Sequence, residues 1–172
     1  NIVGLMTGTS MDGIDISLVR TNGIDLKRLN KNHFYKYSDK TKSFLIEILN
    51  EDKNYILKKK KYLDNFVTKE HYLALKNLDI IKNSDLIGFH GQTIYHNPMN
   101  KISIQLGNPK LLAKLLKKDV IFNFREHDIR LGGQGAPLAP IYHKLIIEKH
   151  EFDLPFCILN IGGISNLTYW DG

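Results

Sequence analysis

The 172-residue sequence predicts an α/β fold with a mixed sheet, and three observations carry that reading. Short β-rich stretches alternate with stretches of helical period. The first two, residues 2–6 and 14–19, are joined by Gly8-Thr9-Ser10-Met11-Asp12-Gly13, whose Asp-Gly pair is a hairpin turn signal. Strand, glycine turn, strand then recurs around residues 162–165, which points to a duplicated domain whose second copy begins late in the chain. The expected division is a first domain over 1–130 and the start of a second over 131–172.

After the opening hairpin, residues 33–37 read as a third strand and 41–50 as a short helix. From 58 to 78 the apolar residues Leu63, Phe66, Val67, Leu73 and Leu78 keep helical spacing with charges between them, which predicts one amphipathic packing helix. Residues 86–89 form a short apolar strand that runs into His90-Gly91-Gln92-Thr93, and 102–106 another that runs into Gly107. Asn108-Pro109 supplies a cap and a first-turn proline for a helix through residue 117. A buried-type strand over 120–124 is expected to end at Arg125-Glu126-His127-Asp128. The glycine-rich stretch 131–137 interrupts regular structure, a helix follows over 138–149, and strands 156–161 and 167–170 close the chain.

Composition narrows the function. A net charge of +6 comes from scattered basic residues, and the one run, Lys58 to Lys61, has no interleaved aromatics, so a nucleic-acid partner is not expected. No apolar run approaches a membrane span, and the single Cys157 excludes an intramolecular disulfide framework and a multi-cysteine zinc site. A cytoplasmic protein without a membrane partner is the expectation. The chain opens on Asn1 and stops at Gly172 directly after a strand-like stretch, so both ends are expected to be cut points.

Gly8 and Gly13 match the outer glycines of a Walker loop, but Ile14 and Asp15 stand where Lys and Ser or Thr belong, which excludes that motif. The loop still offers backbone amides, the hydroxyls of Thr9 and Ser10, and the carboxylates of Asp12 and Asp15, a set able to hold phosphate oxygens and a magnesium ion. A plain hairpin turn is an equally good reading of the loop by itself. Asn160, Gly162, Gly163, Ser165 and Asn166 form a second small-polar turn, expected to face the first across a cleft and grip a polyphosphate. Asp128, just past a predicted strand end, is a candidate general base or metal ligand, with a cap or an ion pair to Arg125 as the structural alternative. His90, Gln92 and Thr93 form a polar set suited to sugar hydroxyls.

Taken together, Gly4-Leu5-Met6-Thr7-Gly8-Thr9-Ser10-Met11-Asp12-Gly13-Ile14-Asp15, Gly88-Phe89-His90-Gly91-Gln92-Thr93, Gln105-Leu106-Gly107, Phe124-Arg125 with Asp128, and the stretches 132–140 and 159–168 resemble the anhydro-N-acetylmuramic acid kinase family in order and spacing. The span from about 21 to 83 shares only helical character. The resemblance implies an actin, hexokinase and Hsp70-like (ribonuclease H-like) ATPase fold. It implies an enzyme that uses ATP, Mg²⁺ and water to open the 1,6-anhydro ring of anhydro-N-acetylmuramic acid while phosphorylating O6, in peptidoglycan recycling. By the same resemblance Gly8, Thr9, Ser10, Met11, Asp12, Gly13 and Asp15 form the first phosphate loop, with Asp12 toward the metal. Asn160, Gly162, Gly163, Ser165 and Asn166 form the second, Asp128 is the catalytic base, and His90, Gln92, Thr93 and Arg125 shape the sugar pocket.

Arg130 and Leu131 stand where the family commonly has small residues, which leaves another acceptor of an actin-fold small-molecule kinase open. A non-catalytic nucleotide-binding module is the reading from a different class. Family members are about twice this length and dimeric, with the adenosine-binding part beyond residue 172, so the 172-residue piece alone is expected to be inactive.

Overall fold

The computed structural model describes residues 1–161 and 165–172, and these divide into two compact units: residues 1–96 with 104–123, and residues 97–103 with 124–172. The first unit is built on a five-stranded mixed sheet in the order β3 (Leu26–Lys36), β2 (Gly13–Thr21), β1 (Ile2–Met6), β4 (Leu86–Phe89), β7 (Asp119–Ile121). Strand β1 (Ile2–Met6) pairs antiparallel with β2 (Gly13–Thr21), from Ile2 opposite Val19 to Met6 opposite Asp15. The Asp-Gly turn thus makes the expected hairpin. Strand β3 (Leu26–Lys36) continues it antiparallel on the outside.

That third strand is longer than the sequence predicts. Its first half, Leu-Lys-Arg-Leu-Asn-Lys, is largely exposed and lacks a buried alternation, because an edge strand with lysines along it has little core to face. Helix α1 (Asp39–Leu49) starts where Ser38 Oγ accepts from Thr41 N–H at 3.1 Å. Helix α2 (Lys53–Leu75) starts where Asp52 Oδ1 accepts from Tyr55 N–H at 2.9 Å, five residues earlier than expected. Its apolar stripe, Ile56, Leu63, Val67, Ala74 and Leu75, is buried, and Phe66 meets Phe44 of α1 edge to face at 4.7 Å. Each of the Val, Leu and Ile side chains in the stripe contributes about 1.5–3 kcal/mol by burial. A short helix α3 (Asp79–Lys82) precedes β4 (Leu86–Phe89), which lies parallel to β1.

At Gly91 the chain reverses with φ 71°, and a Cβ there would strike the Leu106 carbonyl. The stretch read as a polar loop therefore becomes strand β5 (Gln92–Asn97), which forms a two-stranded sheet with β6 (Ile102–Leu106). The alternation of buried Gln92 and Ile94 with Thr93 and Tyr95 is the period-two signal that reading passed over. Helix α4 (Pro109–Leu116) has the expected Asn108 cap, whose Oδ1 accepts from Leu111 N–H at 3.0 Å. Strand β7 (Asp119–Ile121) pairs parallel with β4 and completes the sheet.

In the second unit, α5 (Phe124–Arg130) occupies what the sequence reads as strand end and turn. Asn123 at φ 67° stops β7 early, and Glu126 pairs with Arg130 one helical turn later. Helix α6 (Leu138–Lys149) matches its expected range. Strands β8 (Phe156–Asn160) and β9 (Asn166–Trp170) form an antiparallel hairpin that meets α6 through two contacts: His143 Nδ1 lies 2.8 Å from Thr168 Oγ1, and Lys144 Nζ sits 4.4 Å from the Trp170 ring centre. Among the described residues no helix is long and apolar enough to cross a membrane.

Candidate active site residues

In the first unit the loop from Thr7 to Asp12 is anchored below and open above. Met11, at φ 51°, has a fully buried side chain, and its N–H donates to Gly8 O at 3.4 Å. Gly13 is buried as well, so Met11 and Gly13 offer only backbone to a ligand. Thr9, Ser10, Asp12 and Asp15 are exposed, and Ser10 Oγ donates to Asp12 Oδ1 at 2.8 Å. The sequence thus sorts into anchors and exposed polar groups within residues 9–15.

Two side chains tie this loop to the β4–β5 turn. Thr7 Oγ1 donates to Gly91 O at 2.8 Å, and Gln92 Nε2 donates to Gly8 O at 3.2 Å and to Thr93 O at 3.3 Å. Gln92 is completely buried, whereas His90 and Thr93 are half-buried. His90 Nδ1 lies 2.6 Å from Gly91 O, and Gln105 Nε2 donates to Thr93 Oγ1 at 3.4 Å.

Helix α2 contributes a third support that the sequence reading missed. Asp64 Oδ1 accepts from Gly107 N–H at 3.0 Å and pairs with Lys60 Nζ at 2.8 Å, while Thr68 Oγ1 accepts from Asn108 N–H at 2.7 Å. Lys60, Asp64 and Thr68 recur every four residues, a polar stripe beside the apolar one. That spacing was the available signal. One turn further on, His71 is fully buried against Phe89, with ring centres 4.9 Å apart, and burial pushes its pKa down to about 4.

In the second unit, Asp128 sits on α5 rather than in a loop, and the glycine-rich segment folds back onto it. Gly135 N–H donates to Asp128 Oδ2 at 2.7 Å, and Gly133 N–H donates to the Asp128 carbonyl at 2.9 Å. A Cβ on Gly133 would collide with the Asp128 carboxylate. Arg125 Nη1 donates to Gly135 O at 2.8 Å, and burial pushes its pKa below the usual guanidinium value. Arg125, Gly135 and Asp128 therefore form one braced group, with a carboxylate fixed in orientation. The second small-polar turn has Asn160, Ser165 and Asn166 exposed, and Gly162 and Gly163 lie outside the described residues.

The donor set fits a phosphate-bound magnesium better than a protein-caged metal. Among the described residues no group of three or more His, Cys, Asp or Glu converges on a metal position. The exposed carboxylates of Asp12 and Asp15 match an ion that takes one or two protein oxygens and the rest from phosphates and water.

The family model for anhydro-N-acetylmuramic acid kinase matches residues 1–171. The chain belongs to the anhydro-N-acetylmuramic acid kinase family. It is 43% identical to the anhydro-N-acetylmuramic acid kinase of Pelagibacter ubique (strain HTCC1062), across 96% of this chain and 46% of that protein. It is 36% identical to that of Rhodopseudomonas palustris (strain BisB18), across 99% of this chain and 49% of the relative, and 36% identical to that of Agrobacterium fabrum, across 97% and 48%. The chain spans about half the length of the curated kinases it matches. The family membership carries with it the α/β fold seen here, and the matched range includes the 21–83 span where the residue-level resemblance was thin.

Proposed function

We propose that the full-length protein is an ATP-dependent kinase that hydrolytically opens the 1,6-anhydro ring of anhydro-N-acetylmuramic acid and phosphorylates O6, giving N-acetylmuramic acid 6-phosphate in peptidoglycan recycling. The observation that carries this reading is the match to that kinase family over residues 1–171. The mixed sheet opened by an antiparallel hairpin supports placing the fold in the actin, hexokinase and Hsp70-like class. The proposed first domain covers 1–130 and the second starts at 131, whereas the compact units divide after residue 123.

In this reading Asp128 is the base. Its carboxylate, oriented by Gly135 N–H, takes a proton from the water that attacks the anomeric carbon, and the departing O6 accepts the γ-phosphoryl group of ATP. Arg125 holds Gly135 O and Gly135 N–H holds the carboxylate, which removes rotational freedom from the base before substrate arrives, and the bare Cα of Gly133 leaves the space that the carboxylate occupies. The exposed Thr9 and Ser10 supply hydroxyl and backbone donors to phosphate oxygens, Asp12 lies toward the magnesium ion, and Asn160, Ser165 and Asn166 supply a second set of donors. Magnesium, when bound with the nucleotide, offsets phosphate charge. His90 and Thr93 border the sugar. The enzyme is placed in the cytoplasm as a homodimer, with no nucleic-acid or membrane partner.

The test is incubation with ATP, magnesium and 1,6-anhydro-N-acetylmuramic acid in ¹⁸O-labelled water, followed by mass spectrometry. A 6-phosphate that also carries label on the anomeric hydroxyl is expected from the full-length protein and not from the 172-residue chain. No product from the full-length protein would sink the assignment of acceptor.

A further inference from the structure

We propose that Gln92 is a positioning residue for the nucleotide phosphates: it does not touch the sugar but turns the Gly8–Thr9 peptide so that Thr9 N–H faces the ligand. The inference rests on the reading of the 8–15 loop as a phosphate loop and names how that loop is aimed.

The geometry is that of a planar trans peptide. Among the described residues the only cis bond is Leu154-Pro155, so Gly8 C=O and Thr9 N–H belong to one trans unit and point in opposite directions. Gly8 O is held from inside by Gln92 Nε2 at 3.2 Å and capped along the turn by Met11 N–H at 3.4 Å. Thr9 N–H is therefore directed away from the buried amide, on an exposed residue, and no backbone acceptor takes it among the described residues. Thr7 Oγ1, bonded to Gly91 O at 2.8 Å, fixes the residue before the same peptide. Both ties end on the β4–β5 turn, so one rigid support orients two successive loop residues.

The cost of this arrangement shows what it is for. Gln92 is fully buried, and its Oε1 has no hydrogen-bond partner among the described residues, a desolvated acceptor that an aliphatic side chain would not carry. A leucine or methionine would fill the site without that loss. What the amide supplies in return is the Nε2 donor, and the atom it reaches in the loop is Gly8 O.

The experiment uses the full-length protein with Gln92→Met, which keeps length and removes the donor. Affinity for the magnesium complex of a non-hydrolysable ATP analogue is measured by titration calorimetry, beside KM for ATP and for the anhydro sugar. The expected result is about a tenfold loss of nucleotide affinity, with a parallel rise in the KM for ATP and a sugar KM changed by less than about twofold. Unchanged nucleotide affinity in a folded Gln92→Met protein overturns the proposal, and so does a rise confined to the sugar KM, which would make Gln92 a direct sugar contact. Should Gln92→Met fail to fold, the unmodified protein is titrated with magnesium pyrophosphate and followed by ¹⁵N–¹H NMR. A downfield shift of the Thr9 amide proton is expected, and an unmoved Thr9 amide among shifting neighbours overturns the proposal. An unmodified protein that binds neither probe instead refutes the phosphate-loop reading beneath it.

Discussion

Asp128 and Gly133 make a pair in which one residue is the proposed base and the other makes room for its carboxylate. Replacing the carboxylate by an amide, Asp128→Asn, removes the base with little change of volume, so the rate of product formation is expected to fall by roughly 10²-fold to 10⁴-fold with the unfolding temperature nearly unchanged. A loss below tenfold would take the role away from Asp128. Gly133→Ala tests the same carboxylate from outside: the added methyl would occupy its position, so the activity should fall although no reacting group is altered. Retention of full activity in that variant would show that the Asp128 orientation seen here is not the working one. The sequence singles out Asp128 by its position and by the resemblance, and places Gly133 only within a glycine-rich stretch. The hydrogen bond from Gly135 N–H was not legible there, because it depends on a loop returning over seven residues to the helix it left.

Helix α2 is where element-scale reasoning adds most, since its sequence reads only as an amphipathic packing helix. Its buried His71 is held neutral, with Nδ1 2.8 Å from Val67 O and the ring edge-on to Phe89. Burial is the largest cause of its lowered pKa, with nearby His90 adding to it. The unfolded chain binds a proton near pH 6.5 and the folded one only near pH 4, so between these values the unfolded state carries more protons and stability falls as pH falls. The His71 contribution is fully present above pH 6.5 and its loss reaches about 3 kcal/mol by pH 4. Urea denaturation of His71→Phe over that window should show a shallower loss of stability with acid than the unmodified chain, and equal slopes would refute the assignment. Asp64 and Thr68, two turns and one turn before His71, hold the turn between β6 and α4. Their inward direction could not be read from a helical wheel alone, because polar residues beside an apolar stripe usually face water.

Across the whole chain, the second unit leaves an apolar sheet face uncovered. Cross-strand partners Leu159 and Leu167, with Tyr169 beside them, are more than half exposed on the β8–β9 hairpin. A contiguous patch of this kind drives association. The 172-residue chain is expected to bind an anilinonaphthalene dye and to self-associate with concentration. Leu159→Lys with Leu167→Glu, opposite charges at facing positions, should lower both by light scattering and dye fluorescence without lowering the unfolding temperature. Dye binding that survives the double substitution would locate the apolar surface elsewhere. What the sequence determined by itself was local and periodic: the opening hairpin from its Asp-Gly turn, α4 from Asn108-Pro109, α6 from its helical stretch, and the family from motifs kept in order. What only the tertiary structure decided was where distant segments meet. The β4–β5 reversal depends on the tight approach of Gly91 to Leu106, the end of β7 on a left-handed Asn123, and the hold on the Gly8 carbonyl on a glutamine 84 residues away. Hydrophobic period and turn chemistry act over a few residues and can be read along the chain, whereas hydrogen-bond partners separated by tens of residues are chosen by packing.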